Sequence, residues 1–376
     1  MRRFIYADNA ATTKLDPSAF DAMRIWLEEE YANPSQPYSF ARNAKKALVN
    51  ARALIAECIH ASADEIFFTS GGTESDNWAI KGIAFVDPEK KTTITSSIEH
   101  HAILNTCKSI ERMGYPVVYL PVDADGIVSP KSLSETITNQ TGIVSVMTVN
   151  NEIGTIQPIR ELAAITHEHG ALFHTDAVQA VGHMPIDVRE LGVDLLSASA
   201  HKFNGPRGIG FLYIRKGTRL VPLLDGGKQE NRLRAGTENI ASIVGMATAL
   251  ASNVGKISAN QKYIRELECR LTEALCASGI RFHRNGGKQI PGIMSLSFPS
   301  QNGETLLHRL DLAGIMVSTG AACDSVQTKI SHVLQAINAD KSIAEGTIRI
   351  SLGKENTAKD IDDIVSALIK IVKPTN

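Results

Sequence analysis

The chain has 376 residues, of which 43% are hydrophobic, and carries 39 lysines and arginines against 40 aspartates and glutamates. This length and apolar content suit one large α/β domain with a smaller companion, and nothing in them suggests disorder. The even charge balance argues against a general nucleic-acid or membrane-surface binder, either of which carries a basic excess or patch.

In chain order, the start Met1-Arg2-Arg3-Phe4-Ile5-Tyr6-Ala7-Asp8 meets an aspartate before any apolar core of signal-peptide length forms. No later run is long enough to span a bilayer, so a cytoplasmic location is expected. Five scattered cysteines, an odd number with no close pair, fit a reducing compartment without a disulfide framework or a cysteine metal site. From about Asp64 to Ile214, short β-branched runs alternate with helical patterns, at residues 66–69, 92–95, 117–120, 143–146, 172–174, 195–197 and 209–213. That alternation predicts an α/β fold with a mainly parallel seven-stranded sheet covered by helices, whose ligands gather at the carboxyl ends of the strands. A long helical pattern over residues 240–278 carries the chain out of this domain. The stretch 294–298, a helix from Gly303 and a strand around 348–351 then read as a compact second domain.

The most informative residues follow two neighbouring strands. Lys202, in Ser199-Ala200-His201-Lys202, offers an amine that can hold an aldehyde as a Schiff base. Asp176, in His174-Thr175-Asp176-Ala177-Val178-Gln179, offers a carboxylate that can keep a pyridine nitrogen protonated. Together they point to pyridoxal phosphate, whereas either one alone reads as a surface lysine or a strand-ending turn. Gly71-Gly72-Thr73 joins a strand to a helix, where backbone amides and a hydroxyl can hold a phosphate; a tight turn with Thr73 as helix cap is the other reading of this segment. His100, at another strand-to-helix junction, has a flat ring suited to stacking and to proton transfer near neutral pH. Arg349, on a strand, is either an edge-strand solubiliser or a two-pronged grip for a carboxylate. Cys323 follows the small residues Ser318-Thr319-Gly320-Ala321-Ala322, which suit a mobile loop, and a thiolate is a strong nucleophile. Cys58, Cys107, Cys269 and Cys276 are expected to be buried small hydrophobes.

These segments resemble, in order and over nearly the whole chain, the cysteine desulfurases of the NifS/IscS type within the fold-type-I pyridoxal phosphate enzymes. The resemblance also rests on Tyr6-Ala7-Asp8-Asn9-Ala10-Ala11-Thr12-Thr13, Asn150-Asn151-Glu152-Ile153-Gly154, Arg234-Ala235-Gly236-Thr237 and Arg349-Ile350-Ser351-Leu352-Gly353. It implies a large domain over residues 15–255, and a small α+β domain formed by residues 1–14 and 256–376. It also implies a cofactor site of Gly72, Thr73, His100, Asn151, Asp176, Gln179, Ser199, His201 and Lys202, with Thr237 reaching the phosphate of the partner subunit in a homodimer. Arg349 and Asn151 would hold the substrate, and Lys202, Cys323 and His100 would carry the chemistry. The reaction implied converts L-cysteine to L-alanine, with the sulfur left as a persulfide on Cys323. That sulfur would pass to an acceptor such as an iron–sulfur scaffold or a tRNA-thiolation enzyme, and Cys323 could transiently ligate an iron–sulfur cluster. The chain departs from the family pattern at Tyr38 and Ala41, where histidine and glycine are usual, and at Lys228, where a glycine is usual. The sequence stops at Asn376, soon after the last helix, whereas longer members carry a C-terminal extension that helps to dock the scaffold, so scaffold partnership is the weakest part of the resemblance. A selenocysteine lyase, another fold-type-I aminotransferase and a catalytically silent assembly subunit are the competing readings.

Overall fold

The computed structural model describes residues 4–87, 89, 91–319 and 330–373. Its strands are β1 (Ile5–Tyr6), β2 (Ile66–Thr69), β3 (Thr92–Ser96), β4 (Val117–Leu120), β5 (Thr141–Ser145), β6 (Leu172–Asp176), β7 (Leu195–Ser199), β8 (Gly210–Ile214), β9 (His283–Asn285), β10 (Ile293–Ser297), β11 (Ile315–Met316) and β12 (Thr347–Ser351). Seven of them form one sheet in the order β2-β8-β7-β6-β5-β3-β4. Strands β7, β6, β5, β3 and β4 are parallel neighbours, while β8 runs antiparallel to both β2 and β7, so β8 alone is reversed. The expected mainly parallel sheet is thus present. The central strands are buried along their whole length, as a sheet covered by helices on both faces requires.

Two apolar cores flank this sheet, one centred on Val144, Phe173, Leu196 and Phe211, the other on Trp78, Ile80, Ile103 and Leu212. A separate core, around Leu271, Met294, Phe298, Ile348 and Ile364, lies beneath the three-stranded antiparallel sheet β12-β10-β9. The N-terminal residues belong with this second core: β1 pairs in parallel with β11, and Ile5 and Ala7 are buried in it. Helix starts follow local chemistry. Asp16 caps the helix Pro17–Glu28 with proline at its first turn, and Thr357 and Asp360 form a reciprocal capping box for Ala358–Val372.

The helical pattern over 240–278 is not one helix. It breaks at Gly255-Lys256 into Ile240–Val254 and Ile257–Ala277, which are bent by 70°. Gly255 at the end of the first helix keeps a right-handed φ of −63° and ψ of −11°, and the two halves serve different cores. No single helix among the described residues is long and apolar enough to cross a membrane. The cysteines also differ from expectation. Cys107 is buried and Cys58 is half-buried, but Cys269 and Cys276 are exposed. The helix that carries them buries Ile264, Leu267, Leu271 and Leu275, so positions 269 and 276 fall on its outer side.

Candidate active site

A cavity of about 640 Å³ opens where the carboxyl ends of β2, β3, β5, β6 and β7 meet residues of the second sheet. It is lined by Gly72, Thr73, His100, Asn151, Asp176, Gln179, Ser199, His201, Lys202 and Arg349, so ten of the twelve site residues read from the sequence converge there. Thr237 is exposed and does not line it. Cys323 lies outside the described residues.

Asp176 ends β6 with its Oδ1 accepting from the Val178 amide at 2.9 Å. Burial raises its carboxyl to about 6, against the opposing pull of that amide and of Lys202. Two residues earlier on the strand, His174 is fully buried between the hydroxyls of Ser145 at 2.8 Å and Ser197 at 2.9 Å. Lys202 closes a short 3-10 turn after β7. Its Nζ donates to the carbonyls of Ala10 at 2.6 Å and Ala11 at 2.9 Å, and its own carbonyl meets Nε2 of His183 at 2.8 Å. The N-terminal segment is therefore part of the site. Gln179 also donates to the Ala10 carbonyl, and Thr13 donates through both its amide and its hydroxyl to the His201 carbonyl.

The helix Gly72–Ala84 starts at the cavity, and the close packing of its first residue requires glycine. A Cβ on Gly72 would stand 2.6 Å from Cγ2 of Val178, and Gly71 before it adopts φ +152°. Glu74 in the first turn accepts from the Ser70 amide and is paired with Arg234 at 2.8 Å, which ties the segment leading to Thr237 to the same helix start. His100 caps the next helix, with Nδ1 accepting from the Ala102 amide at 3.1 Å. Burial, with Lys202 and His101 nearby, pushes its ring down to about 4. The imidazole is consequently neutral at pH 7 with its proton on Nε2, and the near-neutral titration expected from the sequence is not what this environment gives. His201, bound through Nδ1 to the Thr12 hydroxyl, is held down to about 4 for the same reason of burial.

Arg349 sits in β12, where its backbone pairs with Ser318 in both directions. Its side chain is only 8% exposed, which rules out the solubiliser reading. Sequence reasoning assigned no role to Asp8, whose carboxylate meets Nη2 of Arg349 at 2.8 Å, nor to Asp76, Arg207 and His332, which also line the cavity. Asp8 stood in a quoted motif, but 341 residues separate it from the arginine and no local pattern joins them.

Compared with known proteins, residues 5–364 match the family model for class-V aminotransferases. The chain belongs to that family. It is 47% identical to the cysteine desulfurase IscS of Dictyoglomus turgidum, over 99% of this chain and 95% of the relative. A solved NifS-like protein superposes with a TM-score of 0.93 at 39% identity, covering 98% of this chain and 99% of that one. A solved SspA in complex with cysteine gives a TM-score of 0.84 at 36% identity, covering 94% and 100%. Enzymes of this family depend on pyridoxal phosphate, and the cavity fits it. A lysine amine, a buried aspartate, a helix start that excludes any side chain at Gly72 and a neutral flat imidazole stand around one space.

The three departures from the family pattern are structurally quiet. Ala41 is buried with φ −80°, so nothing there requires glycine, and Tyr38 is exposed. Lys228 is exposed in its loop, where the left-handed positions are Gly226, Glu230, Asn231, Arg232 and Gly236.

Proposed function

We propose that this chain is a pyridoxal phosphate-dependent cysteine desulfurase that takes sulfur from L-cysteine, releases L-alanine and carries the sulfur as a persulfide on Cys323. The observation that carries the reading is the convergence of Lys202, Asp176 and Arg349 on one cavity. Pyridoxal phosphate, when bound, supplies an aldehyde that joins the substrate amine and a ring that draws electrons from Cα. Asp176 would hold the ring nitrogen, and His100 would stack on the ring. Gln179 would approach its oxygen, and the Gly72–Ala84 helix start with Thr73, Ser199 and His201 would hold the phosphate.

Arg349 orients L-cysteine by its carboxylate, with Asn151 beside it. Lys202 Nζ leaves the Ala10 and Ala11 carbonyls and removes the Cα proton, and the neutral His100 would relay a proton on the substrate side, taking one at a ring nitrogen before giving it up. The Cys323 thiolate attacks the substrate sulfur. An S–S bond forms, the Cβ–S bond breaks with its electron pair passing to Cβ, and protonation there yields alanine. The position of Cys323 in the chain supports this role. Five peptide units from Ser318, which is bonded to Arg349 and lines the cavity, span at most about 17 Å, enough to deliver a thiol to that space. Burial raises Cys107 to about 12 and Cys58 to about 11, so neither supplies a thiolate at neutral pH.

The working form we infer is a homodimer in the cytoplasm. The dimer reading is supported by Thr237, which lies outside its own cavity yet in a segment tied to the phosphate cradle, and by the exposed Tyr31 and Phe40, packed edge to face. The persulfide sulfur would pass to an acceptor protein of iron–sulfur assembly or tRNA thiolation. The test is to incubate cofactor-loaded protein with L-cysteine and a reductant and to quantify alanine and sulfide side by side. Equal amounts that vanish in Cys323→Ala are expected, and sulfide release at the wild-type rate by that variant would overturn the reading.

A further inference from the structure

Arg349 carries a resident anion. Its Nη2 donates to Oδ1 of Asp8 at 2.8 Å and its Nη1 to the Asn151 carbonyl at 2.8 Å. Its Nε is buried without a hydrogen-bond partner among the described residues. Asp8 is 19% exposed, and both side chains line the cavity.

The carboxylate belongs to a fixed wall. Asp8 bridges Ser351 in the adjoining strand, Ser351 donates to the Ala7 carbonyl at 2.7 Å, and Asn9 donates to the Ser351 carbonyl through its backbone at 3.1 Å and its side chain at 3.0 Å. The pair thus spans two segments, the N-terminal strap that also holds Lys202 and the strand that carries the substrate arginine. A guanidinium has five N–H donors. Asp8 and Asn151 engage one each, which leaves one hydrogen on each of Nη1 and Nη2 for an incoming carboxylate beside the buried Nε. That carboxylate must share one cation with a second anion a guanidinium's width away, where screening is weaker than in water.

We propose that Asp8 is a specificity-determining residue: a resident carboxylate that halves the electrostatic demand of Arg349, keeps the binding of monocarboxylic amino acids weak and reversible, and rejects amino acids that bring a second carboxylate. This rests on the reading of Arg349 as the substrate's carboxylate site. Asp8 is already satisfied by Arg349, so it adds no grip of its own to a ligand. Its charge acts on the ligand as repulsion across the guanidinium, and an amino acid with an acidic side chain meets that repulsion twice.

Asp8→Asn removes the charge and keeps an oxygen that can accept from Nη2. Calorimetric titration of the cofactor-loaded wild type and variant with L-alanine, L-alaninamide and L-aspartate separates the effects. The expected result is a Kd for L-alanine lowered about tenfold in Asp8→Asn, equivalent to about 1.4 kcal/mol, a larger drop for L-aspartate, and no change for the amide. An unchanged or raised Kd for L-alanine, or an equal shift for the amide, would overturn the proposal. Arg349→Gln isolates the premise. If it loses L-alanine binding while Asp8→Asn binds as wild type, Arg349 keeps its role and Asp8 does not have the one proposed; if it binds L-alanine as wild type, the carboxylate site lies elsewhere and both fall. Should Asp8→Asn not fold, Asp8→Ser removes the same charge and is read by the same criteria.

Discussion

Replacing Gly72 with alanine tests the cofactor cradle through a single methyl group. The added Cβ would lie 2.6 Å from Cγ2 of Val178, with Ser199 Cβ at 3.7 Å behind it. Carbon atoms in contact rest about 3.5–4.0 Å apart, so something must yield by about 1 Å. The obstacle is a β-branched side chain whose own amide donates to Asp176, so relief by moving Val178 disturbs the carboxylate meant for the ring nitrogen. Overpacking of this kind costs about 1–3 kcal/mol, and alanine's better helix propensity returns less than about 1 kcal/mol at a first-turn position. The cofactor dissociation constant of Gly72→Ala should therefore rise about 10- to 100-fold, while the apo protein loses only a few degrees of Tm. The assay is absorbance titration of apo protein with pyridoxal phosphate, alongside thermal unfolding without cofactor. A Kd within twofold of wild type would refute the argument that the close packing of Gly72 against Val178 shapes the cofactor site.

Other perturbations separate the site from its scaffold. Arg349→Lys replaces a planar fork with a point charge, so KM for L-cysteine should rise at least about tenfold with a smaller change in kcat; a rise confined to kcat would contradict the carboxylate role. Arg52→Met should destabilise the fold by about 3 kcal/mol in urea unfolding. It strands the buried Glu230, which accepts from Arg52 at 2.6 and 2.8 Å and from the Phe68 amide at 2.9 Å and begins a three-residue left-handed turn, Glu230-Asn231-Arg232; a loss under about 1 kcal/mol would contradict this. Burial raises Glu99 to about 8 despite its bonds from Ser96 and the Met147 amide, so the folded protein keeps a proton that the unfolded chain releases near 4.5. Stability from this group is full below about 4.5 and is lost as pH rises through about 8. Glu99→Gln should flatten that part of the stability–pH curve, and an unchanged slope in denaturant melts between those limits would count against a buried, protonated Glu99.

The fold was largely legible because its central strands are apolar and β-branched and alternate with helical periods. Runs such as Ile143-Val144 and Leu195-Leu196 have few other places to go. The reversed direction of β8 was not legible, since a strand of five buried residues carries no mark of its orientation. Strands β1, β9 and β11, of two or three residues, take their identity from pairing with distant segments. In the site, Lys202 and Asp176 stood out because each lies at or just after the end of a strand in a motif of its own. The Asp8 to Arg349 pair and the Ala10 and Ala11 carbonyls on Lys202 join residues about 190 to 340 positions apart, and only the folded chain brings them together. The low titration of His100 was likewise hidden, because it follows from burial beside Lys202 and His101 rather than from the residue type.

The most direct test of the account is a single turnover in which cofactor-loaded protein meets one equivalent of L-cysteine without reductant, followed by mass spectrometry of the intact chain and its peptides. The account predicts one equivalent of alanine and the added mass of one sulfur atom on the peptide containing Cys323. Alanine formed with no sulfur on the protein, or sulfur found on Cys58, Cys107, Cys269 or Cys276 instead, would contradict it.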